Sequence, residues 1–327
     1  MTEGGKSRSV LRRFIHIIVN PAAGNRNRAL LDRVVARLRA HGADVAIEET
    51  QAPGHATELA RAAAQAGRAD VIVAAGGDGT INEVARGLMG QGVPLGILPL
   101  GTANVLAIEI GLRPQADEIA AMLRSGPAEL IGTGLVDGAV FLLMVGIGYD
   151  GVVVHGIDPR LKRLWGKGAF IWSGLKEWLR GPGRDIRLVV DGREKRAAWA
   201  IVTNARHYAG PFVLAPQSDI TLPGLTLFLL HDGSRFGLAR FLAALALGRV
   251  ARLRSVEILP ARHIDVTAPA GLAVEVDGDA RGHLPLTIEQ GTQFLRLVVP
   301  GQAASAPKRG RPKPLRDGSA AAAAQRP

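Results

Sequence analysis

Between Phe14 and Ile110 short, apolar, β-branched runs alternate with segments whose apolar residues recur every three to four positions. Phe14–Val19, Asp44–Glu48, Asp70–Ala75 and Leu95–Leu98 read as strands. Arg28–Ala40, Thr57–Ala66, Ile81–Met89 and Val105–Ile110 read as helices, the first with Leu30, Leu31, Val34, Val35 and Leu38 on one face. Strand and helix in strict alternation leave little choice of architecture: the strands form a mostly parallel, doubly wound sheet with helices against its faces.

After Leu130 the period shortens to two. Short runs succeed one another at Phe141–Val145, Ile186–Val190, Ala198–Thr203, Leu225–Leu230, Val256–Leu259, Ile264–Thr267, Leu272–Val276 and Phe294–Val299. The pairs Asp137-Gly138, Asp191-Gly192 and Asp277-Gly278 mark tight turns between them, as in an antiparallel β-sandwich. Two helical insertions, at 160–180 and 235–251, interrupt the pattern. The sequence therefore predicts an α/β fold with an N-terminal doubly wound, mostly parallel sheet domain (12–130). A C-terminal antiparallel β-sandwich domain with helical insertions (131–300) follows, then a basic tail (301–327) without periodicity, which reads as disordered.

At 47% hydrophobic and 21% charged, the chain of 327 residues can bury two cores. It contains no cysteine, which excludes disulfide scaffolds, thiolate metal sites and cysteine nucleophiles. No apolar run approaches the length of a membrane span, and Phe14–Val19 is too short for a signal segment. The net charge of +11 is concentrated: residues 1–13 hold +3, 155–184 hold +5, 235–254 hold +5 and 301–327 hold +5. Such segregation implies an anionic partner met at particular places.

The chemistry-bearing turns follow the strands. Gly76-Gly77-Asp78-Gly79-Thr80 lies between a hydrophobic strand and a helix, where glycines let backbone N–H groups approach phosphate oxygens and the helix N-terminus adds positive potential. Asp78 could hold Mg²⁺ beside those phosphates, and Thr80 could cap the helix or donate to a phosphate. Asn20-Pro21-Ala22-Ala23-Gly24-Asn25 and Leu100-Gly101-Thr102-Ala103-Asn104 follow two other strands. In a parallel sheet all three turns meet at the strand C-terminal edge, where open α/β folds bind ligands. Read singly, each is also an ordinary turn. No Gly-x-x-x-x-Gly-Lys-Ser/Thr occurs, so this is not a P-loop enzyme. Val276-Asp277-Gly278-Asp279 sets two carboxylates about a turn; an ionised aspartate can accept the proton of an attacking hydroxyl, although acids at a turn can also simply face water.

Asn20-Pro-Ala-Ala-Gly, Gly76-Gly-Asp-Gly-Thr-Ile-Asn-Glu-Val-Ala, Pro99-Leu-Gly-Thr-Ala-Asn, Gly146-Ile-Gly-Tyr-Asp and Val276-Asp-Gly-Asp occur in this order. Over roughly residues 12–300 the set resembles the diacylglycerol kinase catalytic-domain family, which includes sphingosine, ceramide and bacterial lipid kinases. The resemblance implies ATP between the two domains and transfer of its γ-phosphoryl group to a lipid hydroxyl, with Mg²⁺. Carried over by position, Asn20, Thr50, Gly76, Gly77, Asp78, Gly79, Thr80, Asn82 and Thr102 would contact ATP, and Asp277 and Asp279 would lie at the transfer site. Two departures stand out. The family's second acid in that last turn is usually Glu, where this chain has Asp279. An Asp-Gly pair that serves a structural Mg²⁺ in some bacterial members is replaced here by Leu222-Pro223, with Asp219 as the nearby carboxylate. Alternatives are an NAD kinase-like enzyme, whose family shares the Gly-Gly-Asp-Gly-Thr turn, and a catalytically inactive lipid-binding regulatory protein.

A lipid acceptor requires a docking surface. Segment 160–180 carries Trp165, Trp172 and Trp178 among Lys and Arg, and 235–254 sets Phe236, Leu238, Phe241, Leu242 and Leu245 beside five Arg. Either could meet an anionic membrane surface, or simply cover the sandwich. These features point to a cytoplasmic enzyme, peripheral at the inner face of the membrane. The tail element Lys308-Arg309-Gly310-Arg311-Pro312 looks like a minor-groove hook, but specific nucleic-acid recognition is not expected from one such element in a basic tail.

Overall fold

The computed structural model describes residues 11–24, 27–156 and 185–301. The segment predicted at 160–180, Asn25 and residues 302–327 of the tail lie outside the described residues.

The first lobe contains strands β1 (Phe14–Val19), β2 (Asp44–Glu49), β3 (Val71–Gly76), β4 (Leu95–Pro99) and β5 (Ala128–Ile131). Its helices are α1 (Pro21–Gly24), α2 (Arg28–Ala40), α3 (His55–Gln65), α4 (Asp78–Leu88), α5 (Val105–Glu109) and α6 (Ala116–Ser125). β1 pairs in parallel with both β2 and β3, and β3 in parallel with β4. The chain therefore leaves β1 in one direction to reach β2 and returns on its other side as β3. Between β1 and β3 successive connections diverge, and a crevice opens at their C-terminal ends. Every residue of β3 and β4 is buried, as strands covered on both faces must be.

The second lobe runs through β6 (Gly134–Val136), β7 (Ala139–Phe141), β8 (Met144–Ile147), α7 (Tyr149–His155), β9 (Ile186–Val190) and β10 (Arg193–Ala197). It continues with β11 (Trp199–Thr203), β12 (His207–Tyr208), β13 (Phe212–Val213), β14 (Leu225–Leu230) and α8 (Arg235–Ala246). β15 (Val256–Ala261), β16 (His263–Ala268), β17 (Ala273–Val276), β18 (Asp279–His283) and β19 (Leu286–Gln290) complete it. Two antiparallel sheets result, ordered β10-β9-β16-β19-β6-β7 and β15-β14-β11-β8-β17-β18. The three Asp-Gly turns behave as their composition demands: Asp137, Gly138, Asp191, Gly192, Asp277 and Gly278 all have φ between 46° and 87°, the signature of two-residue hairpin turns that match strand twist.

One expectation is corrected. The run at Phe294–Val299, read as part of the sandwich, supplies β20 (Leu295–Val298), which crosses back to the first lobe. There it lies parallel to β4 and antiparallel to β5, giving the order β2-β1-β3-β4-β20-β5. Without it the fully buried β4 would be left with an open edge of unpaired amides, which folded proteins avoid. The lobes are further joined by a shared core. Val136, Val145, Val202, Leu227 and Ile264 belong to the core between the sandwich sheets, whereas Leu142, Tyr149, Trp199, Phe228 and Phe241 belong to the same cluster as Ile17, Ile72 and Leu98 of the first lobe. The helix predicted from Ile81 begins three residues earlier, so Asp78, Gly79 and Thr80 form the first turn of α4 rather than a loop.

Candidate active site

Four strands deliver the predicted turns to one edge. Asn20 follows β1, Thr50 follows β2, Gly77 follows β3, and Gly101 and Thr102 follow β4. Asn20 Nδ2 donates to Thr80 Oγ1 at 3.1 Å, and Asn20 Oδ1 accepts from the Ala22 amide at 3.0 Å. Asn27 Nδ2 reaches the Leu100 carbonyl at 3.3 Å, tying the first turn to the third. The second and third turns touch: a Cβ placed on Gly101 would lie 2.5 Å from Gly77 Cα. Only glycine permits that approach of backbone to backbone. Gly77 caps α4 without a side chain, so that no bulk stands between the start of the helix and an anionic ligand.

Glu83, further along α4, fixes the approach to this edge. Its Oε1 accepts from Gly54 N at 2.9 Å, its Oε2 from Ala56 N at 3.2 Å, and its carbonyl from Thr57 Oγ1 at 2.8 Å. It thus caps α3 from outside. Nothing in the local sequence pattern signals this role for Glu83.

Three of the predicted residues, Asp78, Asn82 and Asp277, are engaged by bonds within the protein. Asp78 turns both oxygens onto the start of α5, accepting from Val105 N at 3.1 Å and Leu106 N at 3.3 Å; burial raises its pKa, against the pull of those amides. Asn82 is buried, its Nδ2 bonded to Asp277 Oδ2 and its Oδ1 without a partner among the described residues, so it links α4 to the second lobe. Asp277 is buried too. Besides Asn82 it accepts from the amides of Leu142 (2.9 Å), Leu143 (2.8 Å) and Met144 (2.9 Å). Burial raises its pKa against these four donors.

Asp279 differs from its neighbour. It opens β18, is exposed, and sets Oδ2 3.0 Å from where a Cβ on Gly79 would stand. The exposed carboxylate therefore overhangs the first turn of α4. Arg86, one helical turn beyond Asn82, donates from Nε to the Val140 carbonyl at 3.3 Å. Its pKa is lowered by burial first and by Arg281 second, with Asp277, Glu83 and Asp279 opposing.

Three buried carboxylates to which no local sequence pattern assigns a task, Glu109, Asp150 and Glu275, support this hairpin and the lobe contact. Glu109 of α5 accepts from the amides of Arg206 and His207 at 3.1 Å and lies 2.6 Å from His207 Nδ1. Burial pushes its pKa up, but His207 and the amides together hold it below the ordinary value. Asp150 accepts from Trp199 Nε1 at 3.2 Å and from the Tyr208 hydroxyl. Glu275 accepts from Gly278 N at 2.7 Å, in the turn that carries Asp279. A Cβ on Gly146 would lie 2.6 Å from Glu275 Oε1 and 2.8 Å from Asp150 Oδ2, so the two acids flank that glycine and titrate as a pair. The only local signal for Asp150 was its place in the Gly146-Ile-Gly-Tyr-Asp run.

Burial raises the Asp150 pKa from 3.8 to about 7. Unfolded, the group loses its proton near 3.8; folded, it keeps it to about 7. The unfolded state thus binds fewer protons across that window, and stability falls as pH rises through it. Asp150→Asn removes the titration and retains partners for Tyr208 and Trp199. Thermal midpoints recorded from acid to neutral pH are expected to fall less steeply for the variant; parallel curves would refute the assignment.

A sequence profile of the diacylglycerol kinase catalytic domain matches residues 15–136, and one of the YegS C-terminal NAD kinase beta sandwich-like domain matches 143–299. A protein of Mycobacterium tuberculosis named diacylglycerol kinase is 30% identical over 278 residues, covering 81% of this chain and 88% of the relative. The chain belongs to the diacylglycerol kinase catalytic-domain family. It is an enzyme of the lipid kinase class. A Bacillus subtilis protein also named diacylglycerol kinase is 28% identical over 298 residues, covering 88% of this chain and 97% of its own. A crystal structure of a Bacillus anthracis protein superposes with a TM-score of 0.75 at 23% identity, over 91% of this chain and 98% of that one, which shows a common fold.

The glycine contact at Gly77 and Gly101 and the uncapped turn of α4 suit a polyphosphate. The residues do not suit a metal held by Asp78, whose oxygens are committed to α5. Among the described residues no three His, Asp or Glu side chains converge as a metal donor set.

Proposed function

We propose that this kinase transfers the γ-phosphoryl group of ATP to the hydroxyl of a diacylglycerol-like or sphingoid lipid, with Asp279 as proton acceptor. The observation that carries this reading is the exposed Asp279 carboxylate standing over Gly79 in the first turn of α4. The nucleotide would lie along the edge formed by Asn20, Thr50, Gly76 to Thr80 and Thr102, its phosphates against the amides of α4. A hydroxyl oxygen placed between those phosphates and Asp279 attacks the γ-phosphorus. The bond to the β–γ bridging oxygen breaks, ADP leaves, and the hydroxyl proton passes to Asp279. Asp277 would then serve as the clasp that holds the hairpin to α4 and to Leu142–Met144. Mg²⁺ would arrive on the nucleotide's own phosphates, since such ions commonly take few protein ligands.

No helix among the described residues is long and apolar enough to cross a membrane, and we place the enzyme at the inner face of a membrane as a peripheral protein. Mass spectrometry of the lipids that gain phosphate when the protein, ATP and a membrane extract are mixed tests the proposal. Diacylglycerol-like or sphingoid phosphates are the expected products. Phosphate appearing on added NAD, with none on lipid, would overturn it.

A further inference from the structure

Helix α8 has two apolar faces. Leu238, Phe241 and Leu245 point inward, with the Phe241 ring 5.0 Å from Trp199 and 5.2 Å from Phe228 between centroids. Those contacts are sufficient to seat the helix. Yet Phe236 is 83% exposed, Leu242 42%, and Leu247 at the C-cap 67%, with Ala239, Ala243 and Ala246 filling the solvent side between them. The ridge is an ordered one: Ser234 Oγ accepts from Gly237 N at 2.9 Å and caps the turn that presents Phe236. From Phe236 to Leu247 it extends about 16 Å. Apolar surface left in water at this scale marks a contact with something else.

The charges around the ridge select the occupant. Residues 235–254 contain five Arg and no acid, and Arg249, Arg252 and Arg254 are exposed where the helix gives way to the next strand. Two copies meeting ridge to ridge would set these arginines against each other. An anionic bilayer offers an apolar interior edged by negative headgroups, which complements both features. The location is also apt. Through Trp199, α8 covers the same face of its sheet as α7 and the first lobe, and Trp199 itself bonds to Asp150 beneath the catalytic hairpin.

We propose that the outward face of α8 is the element that seats the kinase on an anionic bilayer. Phe236, Leu242 and Leu247 enter the acyl boundary, and Arg249, Arg252 and Arg254 meet headgroup phosphates. The proposal takes its purpose from the lipid-kinase reading, but its test needs neither nucleotide nor acceptor.

Because the chain has no cysteine, Phe236→Cys on the full-length protein can carry a single environment-sensitive fluorophore. With phosphatidylcholine vesicles containing phosphatidylglycerol, its emission is expected to rise and shift to the blue. With phosphatidylcholine alone it should stay as in water, and so should a label at Glu194→Cys on β10. Cosedimentation of the Phe236→Ser, Leu247→Ser double variant with the anionic vesicles should fall about tenfold, its thermal midpoint unchanged because both side chains lie in solvent. Replacing Arg249, Arg252 and Arg254 by Gln should abolish the preference for anionic lipid. A label at 236 that remains aqueous while the protein sediments would place docking elsewhere and overturn the inference. So would a label buried without vesicles together with a doubled mass, which would mean a second copy, and so would a wild-type protein that does not sediment at all.

Discussion

Asp279→Asn is expected to lower kcat for phosphoryl transfer by about 10²- to 10⁴-fold, the range associated with loss of a positioned general base. The substitution preserves shape and removes the ability to take a proton as the acceptor oxygen attacks. Because the residue is exposed at the start of an edge strand, the unfolding free energy should stay within about 0.5 kcal/mol of wild type. Nucleotide affinity, measured by equilibrium binding, should change little, since the substitution keeps the shape of the side chain and the Gly77–Gly101 contact is one of backbone to backbone. Asp279→Glu is the informative companion. Family members usually carry Glu at this position, one methylene longer, and Oδ2 already stands 3.0 Å from the space over Gly79. The longer side chain must displace its carboxylate, so activity should be partly retained, above the Asn variant and below wild type. Unchanged turnover in Asp279→Asn would remove Asp279 from the chemistry.

Much of this candidate site was legible because its turns sit where periodicity breaks. Gly76 to Thr80 and Gly101 to Asn104 each interrupt a buried strand, and a parallel sheet brings such interruptions to one edge whatever the sequence between them. What was hidden depends on pairings across long stretches of chain. Glu109 with His207 and Asp150 with Glu275 join elements that no local pattern relates. β20 illustrates the same limit: Leu-Arg-Leu-Val suits a strand in either lobe, and only the need to cover β4 decides which. The different fates of Asp277 and Asp279 were partly readable. An Asp-Gly hairpin turn puts its Asp at positive φ, and aspartates in turns commonly bond back to nearby amides. That geometry marks Asp277 as the residue committed to the backbone of its own turn, whereas Asp279 stands exposed at the head of the next strand.

Asp277→Ala should therefore be the most destabilising of the substitutions considered. It strips acceptors from the amides of Leu142, Leu143 and Met144 and from Asn82, all at a buried position. A buried donor left unsatisfied costs about 1–3 kcal/mol. Alanine must also adopt φ near +51°, adding about 1 kcal/mol, so a total loss of about 4 kcal/mol or more is expected in denaturant unfolding. Asp277→Asn should cost less, about 2 kcal/mol. Its remaining oxygen can still serve Leu143 and Met144, and the unpartnered Asn82 Oδ1 can turn to accept the new amide, which leaves Leu142 as the main loss. Asn also tolerates the left-handed backbone. Turnover should fall in both variants because the clasp aligns the β17–β18 hairpin with α4, but together with stability, in contrast to Asp279→Asn. If Asp277→Asn keeps the wild-type unfolding midpoint and abolishes transfer, the proton acceptor is Asp277 and the two assignments must be exchanged.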